Sequence, residues 1–288
     1  MTIAAIIVAD SINHEGDRIT TLQLRYPRFI HAEFMTHRVF SRNASSSRAI
    51  PVERLIRDIL DDTAMPSHWG KNQPGMQARE EHDALVEIFY YHDAGRKEIS
   101  AVKAWEHARS MAIETAIGFH KAGYHKQIVN RLLEPYSHIN VVVTATDWDN
   151  FFLLRDHPDA QPEIRVLAQE IKNAMAASTP VLLEEGGWHL PYVLEEDFYA
   201  PLESPILNED DLVKRAIKVS VARCARVSYL THDGRKTTVE EDVALHDKLV
   251  VAEPLHASPA EHQATPIAGR ERNFQGWRQY RTLLELSA

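Results

Sequence analysis

Thr36-His37-Arg38-Val39-Phe40-Ser41-Arg42-Asn43-Ala44-Ser45-Ser46-Ser47-Arg48 is the stretch on which the reading of this chain turns. It gathers three arginines, four serines, a threonine, a histidine and an asparagine into one short run. That density of donors suits phosphate and carbonyl oxygens. Composition alone also fits a solvated basic loop, but the flanks argue for a held geometry. Phe29, Ile30, Phe34 and Met35 precede the run at helical spacing, and Pro51 opens Val52, Leu55, Ile56, Ile59 and Leu60 at i, i+3, i+4, i+7, i+8. The spacing predicts an amphipathic helix on each side, and a segment pinned at both ends can keep the fixed geometry that an anion site needs.

At 288 residues with 44% hydrophobic content the chain can bury a substantial core as one large domain or two small ones, and a single domain over 1–288 is expected. A formal net charge of −9 argues against an extended nucleic-acid partner, and the local arginine cluster fits a small phosphorylated ligand better. Cys224 is the single cysteine, which excludes an intramolecular disulfide and a thiolate metal cluster. Neither a membrane-length apolar run nor a signal peptide is present, so no membrane is expected and the cytoplasm is the expected location. GxGxxG, GxxxxGK[ST] and HExxH do not occur, so neither a Rossmann site, a P-loop nor a zinc-protease helix is expected, and no metal site is assigned. His-Asp pairs at His82-Asp83, His92-Asp93, His232-Asp233 and His246-Asp247 keep a metal-dependent nucleotide phosphohydrolase open, although such pairs are ordinarily solvated in a histidine-rich chain.

The hydrophobic pattern predicts strands at Ile3 to Ala9 and Thr20 to Arg25, parted by a turn over Asn13 to Asp17. Residues 61–81 read as an extended loop. A helix follows from Glu98 to Ala122 with Gly123 as its C-cap, then a short one through Ile128, Leu132 and Leu133 up to Pro135. Strands are expected at His138 to Thr146 and Ala216 to Ala222, and helices at Glu163 to Ala176, Val239 to Val251 and Trp277 to Leu286. Residues 178–212 read as irregular surface, and Cys224 as inert core at the edge of a buried strand. Strands and helices mix without a βαβ rhythm, which points to α+β with a mixed or antiparallel sheet.

His37-Arg38-x-x-Ser41-x-Asn43-x-x-Ser46-x-Arg48 resembles the RHRxxSxNxxSxRY signature of flavin-dependent thymidylate synthases (ThyX). Pro27 and the stretch Phe29 to Met35 resemble the family's entry to that motif. Gly123 with Arg131-Leu132-Leu133-Glu134-Pro135 resembles its ARxxLP element, and Asn150-Phe151-Phe152-Leu153-Leu154-Arg155 followed by Ala160-Gln161-x-Glu163-Ile164 resembles NFLxLR and AQxEI. Ala225-Arg226-Val227-Ser228-Tyr229 and His256-Ala257-Ser258-Pro259-Ala260-Glu261-His262 resemble the ARVS(F) and HxTPFEH segments, which in the family precede the arginine motif. Their place near the C-terminus reads as a circular permutation, which physics permits because contacts rather than chain order define a core. Insertions near 58–98 and 178–214 have no counterpart in the resemblance.

The resemblance implies a ThyX-like α+β fold and reductive methylation of dUMP to dTMP, with FAD as cofactor, NADPH and methylenetetrahydrofolate as co-substrates, and no enzymic cysteine nucleophile. It implies that Glu33, Ser46, Ser47, Arg48, Arg131 and Arg155 bind the nucleotide, with Ser46, Arg48 and Arg155 bearing on catalysis. His37, Arg38, Val39, Asn43, Asn150, Ser228 and His262 would hold or shape the FAD pocket, and a homotetramer is expected. Thr36, Ala44, Ala49 and Asp159 depart from the pattern at positions where the family has an arginine, an acidic residue, a tyrosine and a histidine. A different pyrimidine nucleotide, a hydroxymethyl product, and a catalytically silent nucleotide-binding protein therefore remain as alternatives.

Overall fold

The computed structural model describes residues 2–90, 95–198, 209–228, 234–251 and 256–287. The strands are β1 (Ala4–Ile12), β2 (Arg18–Pro27), β3 (Ser41–Ala44), β4 (Val86–Tyr90), β5 (Gly95–Ile99), β6 (His138–Ala145), β7 (Val181–Leu182), β8 (Ala264–Glu271) and β9 (Phe274–Gln279). The helices are α1 (His31–Phe34), α2 (Val52–Asp61), α3 (Ala101–Lys121), α4 (Lys126–Val129), α5 (Asp149–Arg155), α6 (Pro162–Ala177), α7 (Glu195–Phe198), α8 (Glu209–Arg226), α9 (Val239–Val251) and α10 (Tyr280–Ser287). Five strands make one mixed sheet in the order β3-β6-β2-β1-β7, antiparallel except for the parallel β1–β7 pair. The fold is α+β, as the pattern predicts.

The sheet is covered on both faces, one register of its central strands being apolar and the other carrying buried polar side chains such as Thr21 and Thr144 beside Val142. Leu22, Leu24 and Tyr26 of β2 and Val141, Val143 and Ala145 of β6 pack against Phe151 of α5 and Ile164, Leu167 and Ile171 of α6. Val142, on the other face, packs with Tyr192, Cys224 and Val227 under the C-terminal end of α8. Each such side chain stabilises the fold by about 1.5–3 kcal/mol through burial. A second core joins Val52, Leu55 and Ile59 of α2 to Ile113 and Ala116 of α3, with Val129 and Leu133. The helix ends follow local chemistry. Gln161 accepts from the Ile164 N–H at 3.1 Å to start α6. Gly123, at φ +85°, lets the Tyr124 N–H reach back to the Phe119 carbonyl at 3.1 Å beyond α3.

Several expectations require correction. Ala216 to Ala222 is not a strand but the middle of α8, where consecutive buried residues from Val219 to Cys224 mark a helix enclosed by the sheet, α7 and α9 rather than an apolar strand run. Cys224 therefore sits on a helix, and it is fully buried there. Trp277 belongs to β9, so the last helix begins only at Tyr280; the β8–β9 hairpin went unread. The element before the arginine run is a 3-10 turn at Arg28–Ile30 and the single turn α1, not a full amphipathic helix. Within the run, Ser41–Ala44 forms an edge strand against β6. The 58–98 segment includes the β4–β5 hairpin, and 178–212 includes β7, α7 and the start of α8.

Candidate functional site

Because side chains alternate along β3, the motif is dealt to two sides. Arg42 turns toward α1, where Nη1 donates to the carbonyls of His37 at 2.6 Å and Met35 at 3.2 Å. This ties the turn that carries His37 to the strand. Arg155, at the end of α5, then closes on the same turn. Its Nε donates to His37 Nε2 at 2.9 Å, Nη2 to Thr36 Oγ1 at 3.2 Å, and Nη1 lies 3.7 Å from the Glu33 carboxylate. His37 is buried against Phe40 and Phe151, and burial, followed by the charges of Arg155 and Arg42, lowers its pKa to about 4. The ring is therefore neutral near pH 7, with Nε2 as the acceptor. Thr36, which replaces the first arginine of the motif, supplies an acceptor to Arg155.

A second group lies where the motif leaves the sheet. Ser47 Oγ donates to Glu134 Oε1 at 2.6 Å, Arg131 Nη1 donates to the same oxygen at 3.0 Å, and Arg28 lies 3.8 Å from it. The amide of buried Asn130 donates to the carbonyls of Ser47 and Ile50 at 2.7 and 3.0 Å. The loop is thus held by its backbone, while Ser46 and Arg48 stand exposed and the Arg48 N–H bonds Ser46 Oγ at 3.3 Å. Sequence reasoning named Ser46, Ser47, Arg48 and Arg131 but missed Glu134, the carboxylate that joins Ser47 to Arg131 and Arg28. Its signal was present, since Glu134 stands inside the Arg131–Pro135 element. Arg42 was likewise quoted without a role.

Asn43 turns to the opposite side. Its terminal amide lies 3.1 Å from His262 Nε2 and beside Ser258, and His262 Nδ1 lies 2.8 Å from Thr144 Oγ1 on β6. Residues 256–262, far along the chain, therefore meet the arginine motif directly. Ser228 follows Val227, which packs on Val142, the register partner of Asn43. Tyr229 lies outside the described residues. The Val39 carbonyl accepts from Asn273 Nδ2 at 2.9 Å. Arg38 and Asn150 are exposed, and neither side chain has a polar partner among the described residues. Asp159 is 3.6 Å from Arg79 of the insertion and 3.9 Å from His157.

Burial pushes the Cys224 thiol up, which suits inert core rather than a nucleophile. His246 bonds its own neighbour Asp247 at 2.9 Å, while His92-Asp93 and His232-Asp233 lie outside the described residues. Among the described residues no group of three or more His, Cys, Asp and Glu could hold a metal ion, and no helix is long and apolar enough to cross a membrane.

The fold and the arginine-lined cluster define a class. A family model described as thymidylate synthase complementing protein matches residues 19–181, more than half of the chain. The chain belongs to that family, the ThyX family of the resemblance. Among solved structures, the chain is similar to a UMP/dUMP methylase, PolB from Streptomyces cacaoi. With 5-Br dUMP bound to that enzyme, identity is 16%, coverage 61% of this chain and 90% of the other, and the TM-score 0.43. With 5-Br UMP bound, the values are 17%, 61%, 89% and 0.42. No curated protein matches the chain.

Proposed function

We propose that this chain is a flavin-dependent thymidylate synthase that converts dUMP to dTMP, with FAD as cofactor and NADPH and methylenetetrahydrofolate as co-substrates. The observation that carries the reading, beside family membership, is the pair Arg38 and Arg48. Both are exposed cations without a carboxylate partner among the described residues, carried by a motif whose backbone is tied down on each side. Unpaired guanidinium groups on a rigid loop are what phosphate and pyrophosphate oxygens require.

In this reading Ser46, Ser47 and Arg48 take the nucleotide phosphate, with Arg131 beside them. Arg155, steadied by Glu33, Thr36 and His37, faces the growing negative charge of the pyrimidine ring. Arg38, Val39, Asn43, Asn150, Ser228 and His262 hold the FAD, which supplies the hydride for the reduction. His37 stays neutral and positions Arg155. The contact of His262 with Asn43 supports a permuted chain order, with 256–262 in the place of the family's N-terminal element. The Arg131 and Arg155 clusters share no residue, and Leu153 and Leu154 beside Arg155 are 73% and 51% exposed. Both features support a site completed between copies in a homotetramer.

The test is the visible absorption spectrum of the purified protein with added FAD, then with dUMP, then with NADPH under anaerobic conditions. We expect a bound flavin band that dUMP perturbs and NADPH bleaches. A protein that binds no flavin at any concentration would overturn the reading.

A further inference from the structure

A line of hydrogen bonds crosses one face of the sheet, from β3 through β6 and β2 to β1. His262 Nδ1 is 2.8 Å from Thr144 Oγ1, which is 2.7 Å from Thr21 Oγ1. Thr21 Oγ1 is 2.8 Å from His189 Nε2, and His189 Nδ1 is 2.9 Å from Ser11 Oγ. Thr21 and Thr144 are register partners, and Ser41, the partner of Thr144 on β3, shares its face with Asn43. His189 lies beyond residues 19–181, is bridged through its backbone to Ala264 of β8, and reaches the five-stranded sheet by its ring. Both histidines and both threonines are essentially inaccessible to solvent.

Between its ends, each neutral group in this line has one hydrogen to donate, so the direction chosen at one end fixes every bond to the other. Asn43 makes that choice. With its nitrogen turned inward, its two hydrogens are shared among three acceptors, His262 Nε2 and the carbonyls of Arg42 and Ser258, all 3.1 Å from the nitrogen. The opposite orientation would aim the amide oxygen at two carbonyl oxygens. The line therefore runs from the Asn43 amide to His262, from His262 Nδ1–H to Thr144, and from Thr144 to Thr21. It continues from Thr21 to His189 Nε2 and from His189 Nδ1–H to Ser11. Burial keeps both rings neutral, lowering each pKa to about 3, so neither carries a second proton that would break the sequence.

We propose that His189 is a positioning residue: through Thr21, Thr144 and His262 it holds the Asn43 amide with its nitrogen inward and its oxygen as the acceptor offered to the bound cofactor. The cofactor clause rests on the function proposed above; the relay does not. The relay is tested on the full-length protein labelled with 15N, by reading histidine tautomers in long-range 1H–15N spectra. In the native protein both His189 and His262 are expected as the Nδ1–H tautomer. Thr21→Val, nearly isosteric, should turn His189 into a mixture and give His262 a minor Nε2–H form, because Thr144 loses the acceptor for its hydrogen and can donate back to His262 Nδ1. Asn43→Ala, at a half-exposed edge position that does not endanger folding, should turn both into mixtures. A native Nε2–H tautomer at either ring, or a His189 left pure in Asn43→Ala, would overturn the relay. Thr21→Val should also weaken FAD binding by about fivefold, the worth of one neutral hydrogen bond. Unchanged FAD affinity in that variant would overturn the positioning role, whereas a native protein that binds no FAD would overturn the proposed function.

Discussion

Arg155 shows how one side chain ties the site together, because its guanidinium joins the end of α5 to the turn that carries Thr36 and His37. The same charge helps to keep His37 neutral, after burial, which is the larger cause. Arg155→Ala should therefore raise the His37 titration midpoint from about 4 toward 6.5, followed by NMR of the imidazole protons. Arg48 has a different part. It is exposed and holds nothing else in place, so Arg48→Ala should leave thermal stability unchanged and weaken dUMP binding tenfold or more in calorimetry, as loss of a charged hydrogen bond worth about 1.5–3 kcal/mol requires. At this scale the sequence was most legible. The residue types and spacing of the motif name the donors directly, and they do so before any packing is known. What it left dark were acceptors and supports such as Glu134 and His189, whose roles arise only from which side chains the fold brings within 3 Å.

Elements were legible wherever one face meets water. In α2 the buried residues Val52, Leu55 and Ile59 recur at helical spacing, and in α6 Ile164, Leu167, Ala168 and Ile171 do the same. In α8 the signal vanished, because the helix is enclosed and buries every residue from Val219 to Cys224, polar Ser220 and Arg223 included, so no single apolar face recurs at helical spacing. The β8–β9 hairpin failed for another reason. Gly276 adopts φ +76° where a Cβ would meet the Asp17 carboxylate and the Asn13 amide, a close approach that involves residues distant in the chain. Asn13 Nδ2 donates to the Gly276 carbonyl at 3.1 Å, fastening the hairpin to the β1–β2 turn. Gly276→Ala should combine backbone strain with overpacking and cost about 2–4 kcal/mol, measured by urea unfolding.

At the scale of the whole molecule, burial lowers the pKa of His31, His37, His138, His189, His246 and His262 alike. His189 and His262 have folded pKa values of about 3, below the usual 6.5, so the unfolded chain binds more protons between those limits. Stability is then flat above pH 6.5 and falls as pH drops toward 3, by at most about 1.4 kcal/mol per pH unit for each ring. Melting temperatures measured from pH 7.5 down to pH 4.5 should decline, and His262→Asn should flatten the decline. The sequence by itself determined the fold class, the apolar strands and helices with an exposed face, and the arginine motif with its expected ligands, because these follow from local residue types and their periods. The tertiary structure alone decided that residues 256–262 meet Asn43, that Glu134 gathers the serine loop, and that two buried histidines are joined through Thr21 and Thr144. Such contacts depend on strand order and register, which bring together residues more than eighty positions apart, and no local period or residue type says which pairs will meet.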